Sequence, residues 1–143
     1  ERGEAGIGLG WELRRVLFRP APTIHGEGGQ TRDFTYIDNV VDANRRACTA
    51  PAEGVSGEVF NVGCGERISV TDLWQAIQAA TGVELEAQYG APRAGDVRDS
   101  LADLTKICDR LGYEVKVSLH EGIRLTADWL SSQESAENGR AHV

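Results

Sequence analysis

The chain has 143 residues, 41% apolar and 26% charged, with a formal net charge of −7 and a sequence pI near 4.9. That length supports one core and excludes two ordinary domains. The acidic balance without a basic stripe excludes nucleic acid, and no apolar run approaches the roughly 18 residues of a membrane span, so a soluble cytoplasmic protein is expected.

Residues 1–10, ERGEAGIGLG, are glycine-rich and carry no periodic pattern, which predicts a loose start. Leu13, Val16 and Leu17 give one or two helical turns over Trp11–Phe18, stopped by Pro20 and Pro22. Thr23–His25 reads as a short strand and GEGGQ as a turn, because glycine accepts positive φ at no steric cost. Arg32–Ile37 alternates polar and apolar side chains, as a strand does. Asp38 is placed to cap the following helix, with Val40, Val41, Ala47 and Cys48 as its buried stripe and Asn44 as an amide inside it. Glu58–Val62 reads as a strand broken by GCGE. Ser69 and Asp72 form a capping box before a helix with Val70, Leu73, Trp74, Ile77 and Ala80 on one face, stopped by Gly82. Glu84–Tyr89 reads as a strand and APRAG as a loop. Asp103 can cap a helix with Leu104, Ile107, Cys108 and Leu111, ended by Gly112. Ser118 and Glu121 form a second capping box, and its helix places Leu119, Ile123, Thr126 and Leu130 in line. From Ser131 the apolar content falls away, which predicts a disordered tail over 131–143. The sum is about four helices with short scattered strands, an α+β or irregular α/β fold, with the main domain over 22–130.

Cys48, Cys64 and Cys108 are odd in number and widely spaced, and the histidines stand apart, which favours reduced thiols over a disulfide framework or a zinc site. Cys48 and Cys108 fall on the predicted apolar faces and are expected in the core. The chain has no methionine, even at position 1, and so reads as a trimmed chain or a piece of a longer one.

Anion capture has two candidates. Arginine offers a planar fork of donors that fits phosphate or carboxylate. Arg32 follows the glycine turn, and Arg93 lies in the APRAGD loop, where Asp96 could accept hydroxyl hydrogens from a ribose. The alternative is that Arg32–Asp33 and Arg93–Asp96 are surface charges of little weight. No Ser/His/Asp or Cys/His set stands out. GEAGIGLG follows no strand and is a poor dinucleotide fingerprint. Tyr113 and Lys116 are three apart rather than the four of a Tyr-x-x-x-Lys pair, and His25 suits an exposed strand position.

Three ordered segments, HGEGGQTRDFTYIDNVVDAN, EVFNVGCGERISVTDLWQAI and APRAGDVRDSLADLTKICDRLGYEVKVSLHEGI, resemble the C-terminal half of NAD-dependent epimerases and dehydratases of the extended short-chain dehydrogenase family, closest to its nucleotide-sugar 4-epimerase and 4,6-dehydratase branch. The resemblance runs from about Pro22 to Trp129. It implies a small nucleotide-sugar-binding domain without the Rossmann half. It implies that Arg32 of the QxRD motif and Arg93 of the PRxGD motif contact the sugar nucleotide near its diphosphate, that Asp96 approaches the ribose, and that Asn61 of FNVG orders the neighbouring loop or the site. The glycines before Arg32 then turn the chain so that it faces a diphosphate. NAD belongs to the full-length family, and neither a cofactor site nor a catalytic residue is expected in this chain. Residues 1–10 match nothing in that pattern, and 11–21 match it loosely.

The leading reading is therefore a detached nucleotide-sugar-binding half, not catalytically complete alone, with weak affinity for nucleotide-diphosphate sugars. The other is a self-associating assembly module or stable remnant without a ligand. The surface that would meet a cofactor domain should be apolar, which predicts a homo-oligomer.

Overall fold

The computed structural model describes residues 21–140. The loose start expected over 1–10, the short helix expected over Trp11–Phe18 and the last three residues of the tail lie outside the described residues.

Among the described residues four helices pack around two minimal sheets, in the order β1 (Thr23–His25), β2 (Thr31–Arg32), α1 (Ile37–Thr49), β3 (Ile68–Ser69), α2 (Val70–Thr81), β4 (Gln88–Gly90), α3 (Thr105–Leu111) and α4 (Leu119–Arg140). This is the small α/β arrangement that the sequence predicts. β1 pairs in parallel with β4, Ile24 opposite Tyr89, and β2 pairs antiparallel with β3, Arg32 opposite Ile68. Two- and three-residue strands hold little by themselves; the helices hold them in place.

The larger core lies where α2 and α4 clasp β1. Leu73, Trp74, Ala76 and Ile77 of α2 meet Leu119, Ile123, Ala127 and Leu130 of α4, with Ile24 beneath. Burying a side chain as completely as Ile123 contributes about 2 kcal/mol. In both capping motifs the serine half forms, while Asp72 accepts from the Ser69 hydroxyl and Glu121 pairs with Arg124. Ser69 Oγ accepts the Asp72 N–H at 3.0 Å, Gly82 closes α2 in the left-handed region at φ +66°, and Ser118 Oγ accepts the Glu121 N–H at 3.3 Å. The Trp74 indole N–H donates to the Leu85 carbonyl at 3.2 Å, so the largest buried side chain of α2 leaves no orphan donor.

A second core joins α1 and α3 through Ala43, Ile107, Leu111 and Tyr113. Here α1 is rotated relative to the apolar stripe predicted for it. Its buried residues are Asn39, Asp42 and Ala43, while Val41, Asn44 and Cys48 are exposed. Polar pairing decides the rotation. The Asn39 side chain is fully buried and fully used: Oδ1 accepts the N–H groups of Lys116 and Val117 at 3.0 Å each, and Nδ2 donates to the Val117 carbonyl at 2.8 Å. Asp42 accepts from Arg46 Nε at 2.6 Å, Arg45 Nη2 at 2.8 Å and Lys116 Nζ at 2.9 Å. Arg46 also donates to the carbonyls of Leu111 and Gly112, which ties α1 to the end of α3. With both polar residues turned inward, Ile37 and Val41 face outward, 60% and 55% exposed.

Other expectations are corrected for related reasons. Of the predicted Arg32–Ile37 strand only Arg32 pairs, together with Thr31 before it, and Ile37 already begins α1. α1 has Tyr36 at its N-cap without a side-chain cap, and Asp38 sits in the first turn, where its charge favours the positive helix end. Glu58–Val62 is not a strand. Its polar groups are served by side chains, with Lys106 Nζ donating to the Val59 carbonyl at 2.9 Å, and Phe60 and Val62 pack on the second core. Only the end of the predicted Glu84–Tyr89 strand pairs, as β4. Cys48 and Cys108 are exposed rather than core. The backbone is helical through Arg140, where the sequence predicts disorder from Ser131. The helix is already laid down by the buried Ala127 and Leu130, and the Ser131 and Ser132 hydroxyls donate back to Ala127 and Trp129 carbonyls at its turn.

The three cations hold the Asp42 carboxyl well below the usual carboxylate range, Lys116 contributing most. Folding therefore favours the ionised form. The stability it contributes is complete above the unfolded carboxyl pKa of about 3.9 and is lost as pH falls below it. Glu58, Asp103 and Glu121, lowered in the same direction, add to the same acid limb. Urea unfolding followed at pH 7, 5, 4 and 3 checks this: the midpoint should fall below pH 4, and Asp42→Asn should lower it at pH 7 and reduce the decline at acid pH.

Candidate functional site

Three backbone amides converge on one carboxylate beside β2. Asp33 Oδ1 accepts the Cys64 N–H at 2.8 Å, and Oδ2 accepts those of Gly65 at 3.0 Å and Ala102 at 3.3 Å. An ionised carboxylate accepts hydrogen bonds at both oxygens and gathers such amides strongly. The contact requires glycine at 63, where a Cβ would stand 2.4 Å from Asp33 Oδ2 and 2.8 Å from Ala102 Cβ. The buried Tyr113 hydroxyl donates to the Gly63 carbonyl at 2.8 Å, and burial pushes its pKa up to about 12, which keeps it a donor near neutrality. Burial also raises the Cys64 thiol, which stays protonated beside the Asn39 amide.

The glycine turn packs on the start of α2. Gly26 and Gly28 both have φ +78°, and a Cβ on Gly28 would stand 2.3 Å from Thr71 Oγ1. The Gly28 carbonyl accepts from the Thr71 N–H at 3.1 Å and its hydroxyl at 3.2 Å. The turn thus seats on the start of α2 and delivers β2 to its partner.

On the other side of β2 lies segment 98–100. The Thr31 N–H donates to the Arg98 carbonyl at 2.8 Å, the Ser100 N–H returns to the Thr31 carbonyl at 3.2 Å, and the Thr31 hydroxyl donates to Asp99 Oδ1 at 2.7 Å. Arg32 lies along this segment. Its Nη1 donates to the carbonyls of Thr31 at 2.7 Å and Arg98 at 3.3 Å, and its Nη2 to Asp96 Oδ1 at 2.5 Å. The Arg32 side chain is 29% exposed, sheltered but reachable. Asp96 closes a turn by donating its N–H to the Arg93 carbonyl at 3.3 Å, with Gly95 at φ +78°. The Arg93 loop is therefore tied to Arg32 through Asp96. Arg93 itself is exposed, and among the described residues its guanidinium has no hydrogen bond or ion pair.

Of the four residues expected at a site, then, Arg32 and Asp96 touch, and Arg93 belongs to the same turn as Asp96. Asn61 is exposed, its Nδ2 3.5 Å from the Asp103 carbonyl, and joins the others only through the loop fastened by Asp33. Asp33 and Gly63 were not singled out from the sequence; an acid directly after Arg32 and a glycine after the FNV run were the available signals. Among the described residues no three His, Cys, Asp or Glu side chains form a metal-binding group, and no helix is long and apolar enough to cross a membrane.

Among the described residues four helices over short strands, with this arginine–carboxylate turn, make up a small α/β domain. The solved UDP-glucose 4-epimerase of Thermotoga maritima, determined with UDP-glucose, matches it with a TM-score of 0.82 and 39% identity over 92% of this chain and 41% of that one. A UDP-glucuronic acid 4-epimerase from Bacillus cereus, determined with UDP-glucuronic acid and NAD, matches with a TM-score of 0.78 and 29% identity over 85% of this chain and 38% of that one. The UDP-glucose 4-epimerase of Mycolicibacterium smegmatis is 38% identical over 131 residues, 92% of this chain and 41% of the relative. Residues 11–63 match the model of the NAD dependent epimerase/dehydratase family. The chain belongs to that family and spans about two-fifths of the length of these relatives.

Removing the central carboxylate should loosen the whole arrangement. Asp33→Ala is expected to lower the folding free energy by about 2 kcal/mol, read from urea denaturation, with Asp33→Asn recovering part of the loss through its remaining acceptor oxygen.

Proposed function

We propose that this chain is the nucleotide-sugar-binding portion of an epimerase or dehydratase that acts on nucleotide-diphosphate sugars, and that it is not catalytically complete alone. The supporting observation is the sheltered Arg32 guanidinium joined through Asp96 to the turn that carries Arg93. In this reading Arg32 and Arg93 take the diphosphate, Asp96 takes hydroxyl hydrogens beside it, and Asn61 steadies the adjoining loop. The net charge of −7 repels anions at long range, so capture depends on these local forks. The likeness to enzymes solved with UDP-glucose and with UDP-glucuronic acid supports the same ligand class.

Among the described residues β3 runs straight into α2 at Ser69–Val70 without a glycine turn. In the family NAD supplies the hydride chemistry, and we assign it to the portion of the fold that this chain does not span. Tyr113 and Lys116 do not serve as an acid–base pair, because the phenol is buried on the Gly63 carbonyl and the ammonium is bound to Asp42. Isothermal titration with UDP and UDP-glucose tests the site. Both should bind, and Arg32→Ala and Arg93→Ala should each weaken them by roughly tenfold or more, the cost of a lost charged hydrogen bond. Equal affinity in wild type and both variants would rule out this site.

A second reading, self-association, is favoured by Ile37 and Val41, one turn apart and outward on α1, and by Trp129, 59% exposed on α4. Light scattering over a hundredfold concentration range should then show a mass above the monomer; a monomer throughout removes this reading.

A further inference from the structure

Beside Arg32 stands a second cation that no motif marks. Both terminal nitrogens of Arg32 are in use within the chain, Nη1 on the Thr31 and Arg98 carbonyls and Nη2 on Asp96. Arg98 lends its carbonyl to this arrangement. Its own guanidinium is exposed and has no hydrogen bond or ion pair among the described residues. The local pairing sets the face on which it lies. Thr31 is bridged in parallel to Asp99, and the Thr31 hydroxyl donates to Asp99 Oδ1 at 2.7 Å, so those two side chains share one face. Side chains alternate along extended chain. Arg98 therefore falls on the opposite face, which is that of Arg32.

We propose that Arg98 is a further ligand-binding residue, a third guanidinium for the diphosphate; this rests on the nucleotide-sugar reading above. Charge balance is the reason. A diphosphate esterified at both ends carries one negative charge on each phosphate. Arg32 is neutralised by Asp96, which leaves Arg93 as the other cation of that set, one charge short of the ligand. Arg98 makes up the difference. The other nearby acids do not cancel it, since Asp33 is taken up by three backbone amides and Asp99 lies on the far face with Thr31. A guanidinium without an internal partner also has no bond to break before it meets an anion, whereas Arg32 must share Nη2 or release it. Its planar fork suits phosphate oxygens, and in a chain of net charge −7 a local cation sets how readily an anion is held. Arg67 provides the contrast. It too is exposed and unpartnered among the described residues, but it precedes Ile68, which lies opposite Arg32 in the β2–β3 register and takes the Arg32 face, so alternation turns Arg67 away.

Titration calorimetry with UDP-glucose on the full chain and on its Arg98→Gln, Arg98→Lys, Arg67→Gln and Arg32→Ala variants tests the assignment, with circular dichroism melts to confirm that each is folded. Arg98→Gln should weaken binding by roughly threefold or more, the scale of an exposed charge contact. Arg98→Lys, which keeps the charge, should recover most of the loss, and Arg67→Gln should bind as the wild type does. Wild-type affinity in Arg98→Gln overturns the role of Arg98. So does an equal loss in Arg67→Gln, which marks an effect of net charge alone. In either case a loss in Arg32→Ala leaves the diphosphate site standing. If the wild-type chain does not bind UDP-glucose, the nucleotide-sugar reading fails and this inference falls with it.

Discussion

The Asp33 carboxylate is the contact on which the arrangement around β2 depends. It stands one residue after Arg32, and it fixes the loop over 63–65 and the start of segment 102 by their amides. Arg32 leans on the neighbouring stretch through the Arg98 carbonyl and Asp96. Arg32 at the end of one short strand and Asp33 just after it thus anchor two separate pieces of irregular chain, one by guanidinium and one by carboxylate. The strand is too short to do this by ladder bonds alone. Charged side chains acting on backbone groups do what a longer sheet does elsewhere.

The same device recurs in the second core. Asn39 and Asp42 are buried because each finds a full set of partners, and their needs orient α1. A buried amide with every donor and acceptor used fixes position and register more sharply than an apolar contact does. The apolar side chains of the first turns of α1 are turned outward as a result.

Elements whose boundaries rest on local chemistry were legible in the sequence. Ser69 with Asp72, Gly82, Ser118 and Gly112 mark helix ends by capping, which needs nothing from the rest of the chain, and the α2 face followed from its spacing. Elements decided by distant partners were misread. The hydrophobic pattern placed Val41 and Cys48 inside, because it cannot see that Lys116 and Val117 wait for Asn39 and Asp42 some seventy positions away. The EVFNV run has strand composition but pairs with no strand among the described residues, so it remains irregular. At the site, residue type and motif singled out Arg32, Arg93 and Asp96. That Asp96 holds Arg32, and that Asp33 supports the whole, are facts of tertiary geometry with only a faint trace in the sequence.

The pairing of β1 with β4, and of β2 with β3, bears on how the protein is born. Both first partners leave the ribosome well before the strands they pair with. At a synthesis rate of roughly 5–20 residues per second, β1 waits several seconds for β4. Through that interval α4 is not yet made, and α2 is completed only near its end, so Ile24 lacks its full cover. The nascent chain therefore carries exposed edge and apolar surface until α4 has been made.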